Sequence, residues 1–262
     1  MPVPIVRSLG RLQHRNALFA RLGDVAREAV SSDGRVTHGL AAGLSFNAGG
    51  GNAGFALGTS EPEVQEAFGE LVRSGDVVFD LGAASGFYTV IAARAVGPAG
   101  HVVAFEPFPE NAERVSHNVA LNAFANVTQV QAAVADVPGR AAFSLGADQN
   151  RGSLASVQDG GGDGRTIDVE VITLDDCVRE RGLPAPTVLK IDIEGAEVAA
   201  LRGARTVLAA HRPRLLIEVH GTGRELSELL DQSGYDAQVI EHDGPADRAE
   251  WGDHVVARPR RL

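Results

Sequence analysis

The chain has 262 residues, 44% of them hydrophobic and 22% charged, and a net charge of −10. This composition suits a large globular domain with a substantial core. Its acidic balance excludes the basic footprint that nucleic-acid phosphates or an anionic membrane surface would require, so neither partner is expected. Cys177 is the lone cysteine, which rules out an intrachain disulfide, and no run approaches the roughly 20 apolar residues of a membrane span. Arg7, Arg11, Arg15 and Arg21 interrupt the N-terminus, which leaves no apolar signal core, and a cytoplasmic location is expected. Abundant Ala, Gly and Arg beside a single lysine, Lys190, reads as the codon usage of a GC-rich bacterial genome.

In chain order, Ile5, Leu9, Leu12, Leu18 and Leu22 are spaced for one or two amphipathic helices. Residues 35–60 turn Gly-rich and weakly alternating, as in a small hairpin or ordered loop. Residues 1–60 are therefore read as a helical and hairpin cap, a substrate lid or an oligomer contact, and 61–262 as the main domain. Packing of the N-terminus on its own domain and packing in a homodimer both stay open. Pro62 and Glu63 open a helix to about Arg73. Strand and helix then alternate: strand 77–81, helix 86–96, strand 101–105, helix 109–121 and a third strand 127–134. Two β-like runs, 141–145 and 166–171, flank a Gly/Asp/Ser-rich loop at 146–164, long enough to be a lid. There follow strand 187–192, a helix to about Ala210, strand 214–220, helix 224–232, and a closing antiparallel pair at 235–241 and 254–258. Repeated βα units imply an α/β fold with a mostly parallel sheet and helices on both faces.

Asp80-Leu81-Gly82-Ala83-Ala84-Ser85-Gly86 joins the first of these strands to its helix. Gly82 permits a tight turn, Gly86 a close helix start, and the small residues between them let a ligand reach the backbone. The middle glycine of GxGxxG is missing and an acid precedes the turn. That pattern suits a nucleoside carrying an amine and a carboxylate: Asp80 would attract the ammonium and the helix N-terminus the carboxylate. Glu106, 20 residues beyond Gly86 and followed by Pro107, is placed to accept from both ribose hydroxyls.

Three ordered segments, DLGAASGFYTV (Asp80 to Val90), VVAFEPFPENAERVSHNVALN (Val102 to Asn122) and LKIDIEGAEVAALRGA (Leu189 to Ala204), together resemble the FkbM-type S-adenosylmethionine-dependent methyltransferases. GTSEPEVQ before them and RPRLLIEVHG after them extend the match to about Gly58–Gly234. The resemblance implies a Rossmann-like class I methyltransferase fold and methyl transfer from S-adenosylmethionine. Carried over by position, Asp80, Gly82, Ala83 and Gly86, with Ala84 and Ser85 between them, would line the methionine part. Glu106 would hold the ribose, and the turn Ala133, Val134 to Asp136 would lie by the adenine. Glu61 is a further candidate for the cofactor pocket. The family's first motif commonly has Asn where Ala84 stands here.

Methyl transfer to a hydroxyl needs an oriented acceptor and a group to take its proton. Asp192 and Glu194 at one strand end, with Glu218 and His220 at the next, can converge. His220 is read as the general base because an unperturbed imidazole titrates near neutrality. Asp192 would sit between cofactor and acceptor, and Glu194 is the third candidate catalytic residue. Glu194 and Glu197 are equally open to a reading as helix N-terminal acids. Lys190 is read as an internal ion-pair partner. The four residues Asp192, Glu194, Glu218 and His220 have donor types that suit Mg²⁺ or Mn²⁺, but their spacing follows no established metal motif, and a metal-free site is expected. Arg151, Ser153 and Ser156 are candidate substrate contacts. O-methylation of a small molecule, a secondary metabolite or a sugar hydroxyl, is the leading expectation. N- or C-methylation, or a nucleoside-binding Rossmann protein without turnover, are the alternatives. A nicotinamide oxidoreductase is disfavoured by the missing glycine and the lack of a Tyr-x-x-x-Lys pair.

Overall fold

The computed structural model describes residues 32–49, 51–145, 152–154, 166–242 and 244–261. The expected N-terminal helices lie outside the described residues, as do the expected contacts from Arg151 and Ser156. A short hairpin, β1 (Gly34–Arg35) with β2 (Ser45–Phe46), leads into α1 (Ala53–Leu57) and α2 (Pro62–Leu71). The main domain then runs β3 (Val77–Leu81), α3 (Phe87–Val96), β4 (His101–Phe105), α4 (Pro109–Leu121) and β5 (Val127–Val130). Its second half is β10 (Val188–Ile191), α6 (Glu197–Arg202), β11 (Arg214–Glu218), α7 (Gly223–Gln232), β12 (Tyr235–Val239) and β13 (His254–Pro259). Between the halves lie β6 (Ala133–Val134), β7 (Gly139–Leu145), β8 (Gly152–Leu154), β9 (Thr166–Ile172) and α5 (Leu174–Arg179).

Seven strands form one sheet in the order β12-β13-β11-β10-β3-β4-β5. Its middle is parallel, and β13 pairs antiparallel with both β11 and β12, as the two closing runs implied. The chain winds outward from β3 through β4 to β5, then returns beside β3 as β10 and winds the other way. The strand order reverses between β3 and β10, the point where open α/β sheets hold ligands beyond their carboxyl ends.

The central strands are apolar on both faces, and so they are buried on both. One face carries Phe79, Leu81, Val103, Leu189, Ile191, Leu215 and Ile217 against α6 and α7. The other carries Val78, Val102, Val188 and Leu216 beneath α2 and α3, and Val36, Leu44 and Phe46 of the hairpin segment join that core. Each such side chain contributes about 1.5–3 kcal/mol by leaving water. No helix among the described residues is long and apolar enough to cross a membrane.

Three expectations need correction. The single strand at 127–134 is two: β5 ends the main sheet, Ala132 N–H turns back to Val130 C=O, and β6 pairs with β9 in a separate four-stranded sheet. The 146–164 segment is not loop throughout, because Gly152–Leu154 pair antiparallel with β7. The helix expected to run to Ala210 stops at Arg202. A Cβ on Gly203 would lie 2.2 Å from the Ala135 carbonyl oxygen, and a π turn at Val207–His211 follows. Helix α5 escaped notice because it is only six residues long. The Thr173 hydroxyl caps it by accepting Asp176 N–H, and Asp175 and Asp176 fill its first turn.

Candidate active site

A cleft of about 290 Å³ opens at the reversal point. One end is built largely by backbone. Gly82 (φ 77°) turns the chain so sharply that a Cβ there would lie 1.8 Å from the carbonyl oxygen of Asp192, so only glycine lets the turn after β3 pass the end of β10. Ala84 is also left-handed (φ 49°), and its N–H donates to Glu106 Oε2 at 2.8 Å. Glu106 Oε1 accepts Phe108 N–H at 3.0 Å. Glu106 is 5% exposed, and burial pushes its carboxyl up to about 7 despite these hydrogen bonds and one from Asn111. The N-terminus of α3 has no side-chain cap and its first residues, Phe87 and Tyr88, reach the cleft wall. Phe108, Ala133, Val134 and Phe143 form an apolar slot beyond Glu106.

The opposite end is built by charged side chains. Lys190 and Asp80 are register partners on β10 and β3. Lys190 Nζ lies 3.6 Å from Asp80 Oδ1, 3.3 Å from Asp192 Oδ2 and 5.2 Å from the centre of the Tyr88 ring. Burial would lower the lysine pKa, but Asp192 and Asp80 outweigh it and hold the ammonium charged. Tyr88 donates its hydroxyl to Glu61 Oε2 at 2.9 Å, and burial raises the Glu61 pKa against that bond. Burial also raises Asp192, with Lys190 opposing.

His220 stands behind this end, its side chain 2% exposed. Its Nδ1 is 2.8 Å from Glu197 Oε1, and Glu197, itself fully buried, also accepts Gly195 N–H and the Thr222 hydroxyl. His220 Nε2 lies 3.4 Å from Glu218 Oε1 and 3.5 Å from Glu194 Oε2. Burial works to lower this imidazole, yet Glu197 and Glu218 push it up to about 10. Burial likewise opposes ionisation of Glu218, but bonds with His220 and His254 hold it well below the usual carboxylate range. His254 Nε2 is 3.5 Å from Glu218, and its Nδ1 is 2.8 Å from Glu241.

The cleft wall includes Glu61, Gly82, Ala83, Ala84, Ser85, Glu106, Pro107, Ala133, Val134, Asp192 and Glu194. Four expected residues are elsewhere. Asp80 lies behind the wall, 1% exposed, with one oxygen accepting from Thr89 at 2.6 Å and the other beside Lys190, so it does not meet a ligand's ammonium directly. Gly86 supports packing, a Cβ there lying 3.3 Å from Val115. Asp136 is exposed, past the end of β6 and off the cleft. His220 is off the wall as well, and with its pKa near 10 it carries its proton at neutral pH and cannot serve as the neutral base that its residue type suggested. Glu197 sits in the first turn of α6 and accepts Gly195 N–H, as its helix N-terminal reading had it, and it also positions His220. Lys190 makes the internal ion pair expected of it, and also lines the cleft.

Asn52, Phe55, Tyr88, Asn111 and Phe143 line the cleft without having been singled out. Tyr88 and Asn111 had a readable signal, since each sits in the first turn or so of a helix that follows a ligand-turn motif. Phe143 and Phe55 come from segments with no motif at all. Of the five non-glycine residues with positive φ among those described, Glu61, Ala84 and Glu194 all line the cleft, so backbone strain is concentrated at the site.

A parallel sheet reversing at β3/β10, a glycine turn leading into a helix and a buried acid ending the next strand define a class I methyltransferase fold. Residues 80–237 match the Methyltransferase FkbM domain, and the chain belongs to that family. It is 29% identical over 188 residues to the 31-O-demethyl-FK506 methyltransferase FkbM of Streptomyces tacrolimicus, covering 61% of this chain and 71% of that one. It is 23% identical over 181 residues to the hexuronic acid methyltransferase AglP of Haloferax volcanii, covering 68% and 71%. Among solved structures, methyltransferase FkbM from Methylobacillus flagellatus superposes with a TM-score of 0.50 at 18% identity. That match covers 90% of this chain and 58% of the other, and it speaks to the fold.

Proposed function

We propose that the protein methylates a hydroxyl of a small molecule, a secondary metabolite or a sugar, with S-adenosylmethionine as donor. One observation carries this reading: a single cleft joins a nucleoside-shaped end, with Glu106 beside an apolar slot, to an acidic end headed by Asp192. The residues fit the donor. Glu106 holds two backbone N–H groups and keeps lone pairs for a ribose diol. The apolar slot of Phe108, Ala133 and Phe143 suits an adenine, and the uncapped start of α3 suits a carboxylate. The names of the two relatives, one an O-demethyl compound's methyltransferase and one a hexuronic acid's, support a small oxygen-bearing acceptor.

When bound, S-adenosylmethionine supplies an electrophilic methyl carbon on a sulfonium. With the donor held there, the acceptor hydroxyl would be the nucleophile toward that methyl carbon, and Glu194 would take the hydroxyl proton. Asp192, fixed on one side by Lys190, orients the acceptor. Trp251, 67% exposed with its ring edge-on to His220 at 5.2 Å, offers an aromatic surface next to the acidic end. Calorimetric titration with S-adenosylhomocysteine should give one site per chain, and NAD none. No heat with the former would sink the reading. With an acceptor in hand, Asp192→Asn should cut kcat at least about 100-fold while leaving S-adenosylhomocysteine affinity within a few fold.

A further inference from the structure

The acidic end holds a second constellation that methyl-donor binding does not use. Asp192 at the end of β10, Glu218 at the end of β11 and His220 just beyond it each offer a ligand atom, and these atoms lie within 4.8 Å of one another. A divalent cation with ligand bonds of about 2.1 Å seats neighbouring ligands about 3 Å apart and opposite ones about 4 Å apart. The 3.4 Å between His220 Nε2 and Glu218 Oε1 is close to the first of these.

The imidazole is oriented for such a role. Glu197 accepts the proton on Nδ1, and it is itself immobilised by Gly195 N–H and the Thr222 hydroxyl. Nε2 faces the Glu218 and Glu194 carboxylates, and a cation seated among them would take the place of the proton it otherwise carries. A carboxylate behind the far ring nitrogen is the usual support of a metal-ligating histidine. Glu218 is steadied in the same manner by His254, which is in turn held by Glu241. Lys190 occupies one oxygen of Asp192. The two carboxylates are 30% and 21% exposed toward the cleft, which leaves coordination positions open on the acceptor side.

The geometry points to a divalent cation site formed by Asp192, Glu218 and His220, of the Mn²⁺ or Mg²⁺ type, at the acceptor end of the cleft. Two carboxylate oxygens and one imidazole nitrogen suit Mn²⁺ somewhat better than Mg²⁺. The role of the cation rests on the reading of the cleft as a hydroxyl methylation site. A carboxylate is a weak base for an alcohol, and a cation on the alcohol oxygen narrows that gap by acidifying the hydroxyl. The acceptor class this favours has a second oxygen next to the reacting hydroxyl, as in a vicinal diol or a hydroxy acid, so that it can chelate.

The test is Mn²⁺ titration of the metal-stripped full chain, followed by the loss of the free-ion electron paramagnetic resonance signal. S-adenosylhomocysteine binding is measured in parallel. One Mn²⁺ per chain is expected, displaced by excess Mg²⁺, with affinity reduced at least tenfold in Asp192→Asn and in Glu218→Gln. Each variant is checked by thermal melting, and a Glu197→Gln chain that still folds should bind with intermediate affinity. No bound Mn²⁺ at millimolar concentration, or binding unchanged in both carboxylate variants, would overturn the proposal even if S-adenosylhomocysteine binds normally. Mn²⁺ binding that depends on the carboxylates, without S-adenosylhomocysteine binding, upholds the cation site and overturns the donor assignment alone.

Discussion

The two ends of the cleft are made from different materials. At the nucleoside end the backbone does the shaping: Gly82 and Ala84 in left-handed conformation, two N–H groups aimed at Glu106 and a helix start without a cap. At the acidic end side chains from β10, β11, β13 and the 194–197 turn hold one another in a chain of ion pairs. A backbone-built end depends on spacing along the chain, whereas a side-chain-built end depends on which distant residues the fold brings together. The first tolerates side-chain changes where the chain path survives. The second fails when any one partner is removed.

The two ends adjoin where Gly82 passes the Asp192 carbonyl, and the largest expected effect lies there. Gly82→Ala should cost about 3 kcal/mol or more and impair both ends together, because the methyl overlaps main chain that cannot step aside. Chemical denaturation together with S-adenosylhomocysteine titration would check this, and near-normal stability would mean that the ends are not joined as described. Next in size, Glu106→Gln should weaken S-adenosylhomocysteine binding about tenfold and leave the acidic end untouched.

The pH dependence of Glu106 has a definite sign. Its folded pKa, about 7, is above its ordinary 4.5. Its contribution to stability is therefore fully present below about 4.5 and is lost as pH rises through 7. Ligand affinity runs the other way: only the ionised carboxylate accepts fully from both ribose hydroxyls, so binding should tighten as pH rises through about 7, and Glu106→Gln should flatten that profile. The smallest effect is expected at Ala84. Asn tolerates the left-handed conformation better than Ala, so Ala84→Asn should raise stability by about 0.5 kcal/mol, visible as a small upward shift in Tm.

Much of the backbone-built end is legible in the sequence, since DLGAASG and the FEP that follows encode a turn, a helix start and a strand end in contiguous letters. The strand boundaries there fall where periodicity puts them. The acidic end is legible only as an inventory. Asp192, Glu194, Glu218 and His220 can be picked out as residues, but the charge on His220 depends on Glu197, 23 positions away, as well as on Glu218, and nothing local reports that distant partner. Asp80 misleads for the same reason, because its cross-strand neighbour Lys190 draws it into the sheet. The break between β5 and β6 is hidden because VTQVQAAVA reads as one continuous strand, and the departure of the chain to another sheet is a tertiary event.

Lys190, the chain's one lysine, lines the cleft between Asp80 and Asp192 beneath the Tyr88 ring. Growth on isotope-enriched lysine would therefore label a single side chain, located where the donor and acceptor ends adjoin. Its ammonium resonance, sheltered by burial, would give a nuclear magnetic resonance reporter whose frequency registers each occupant of the cleft in turn, with no cysteine tag or engineered fluorophore.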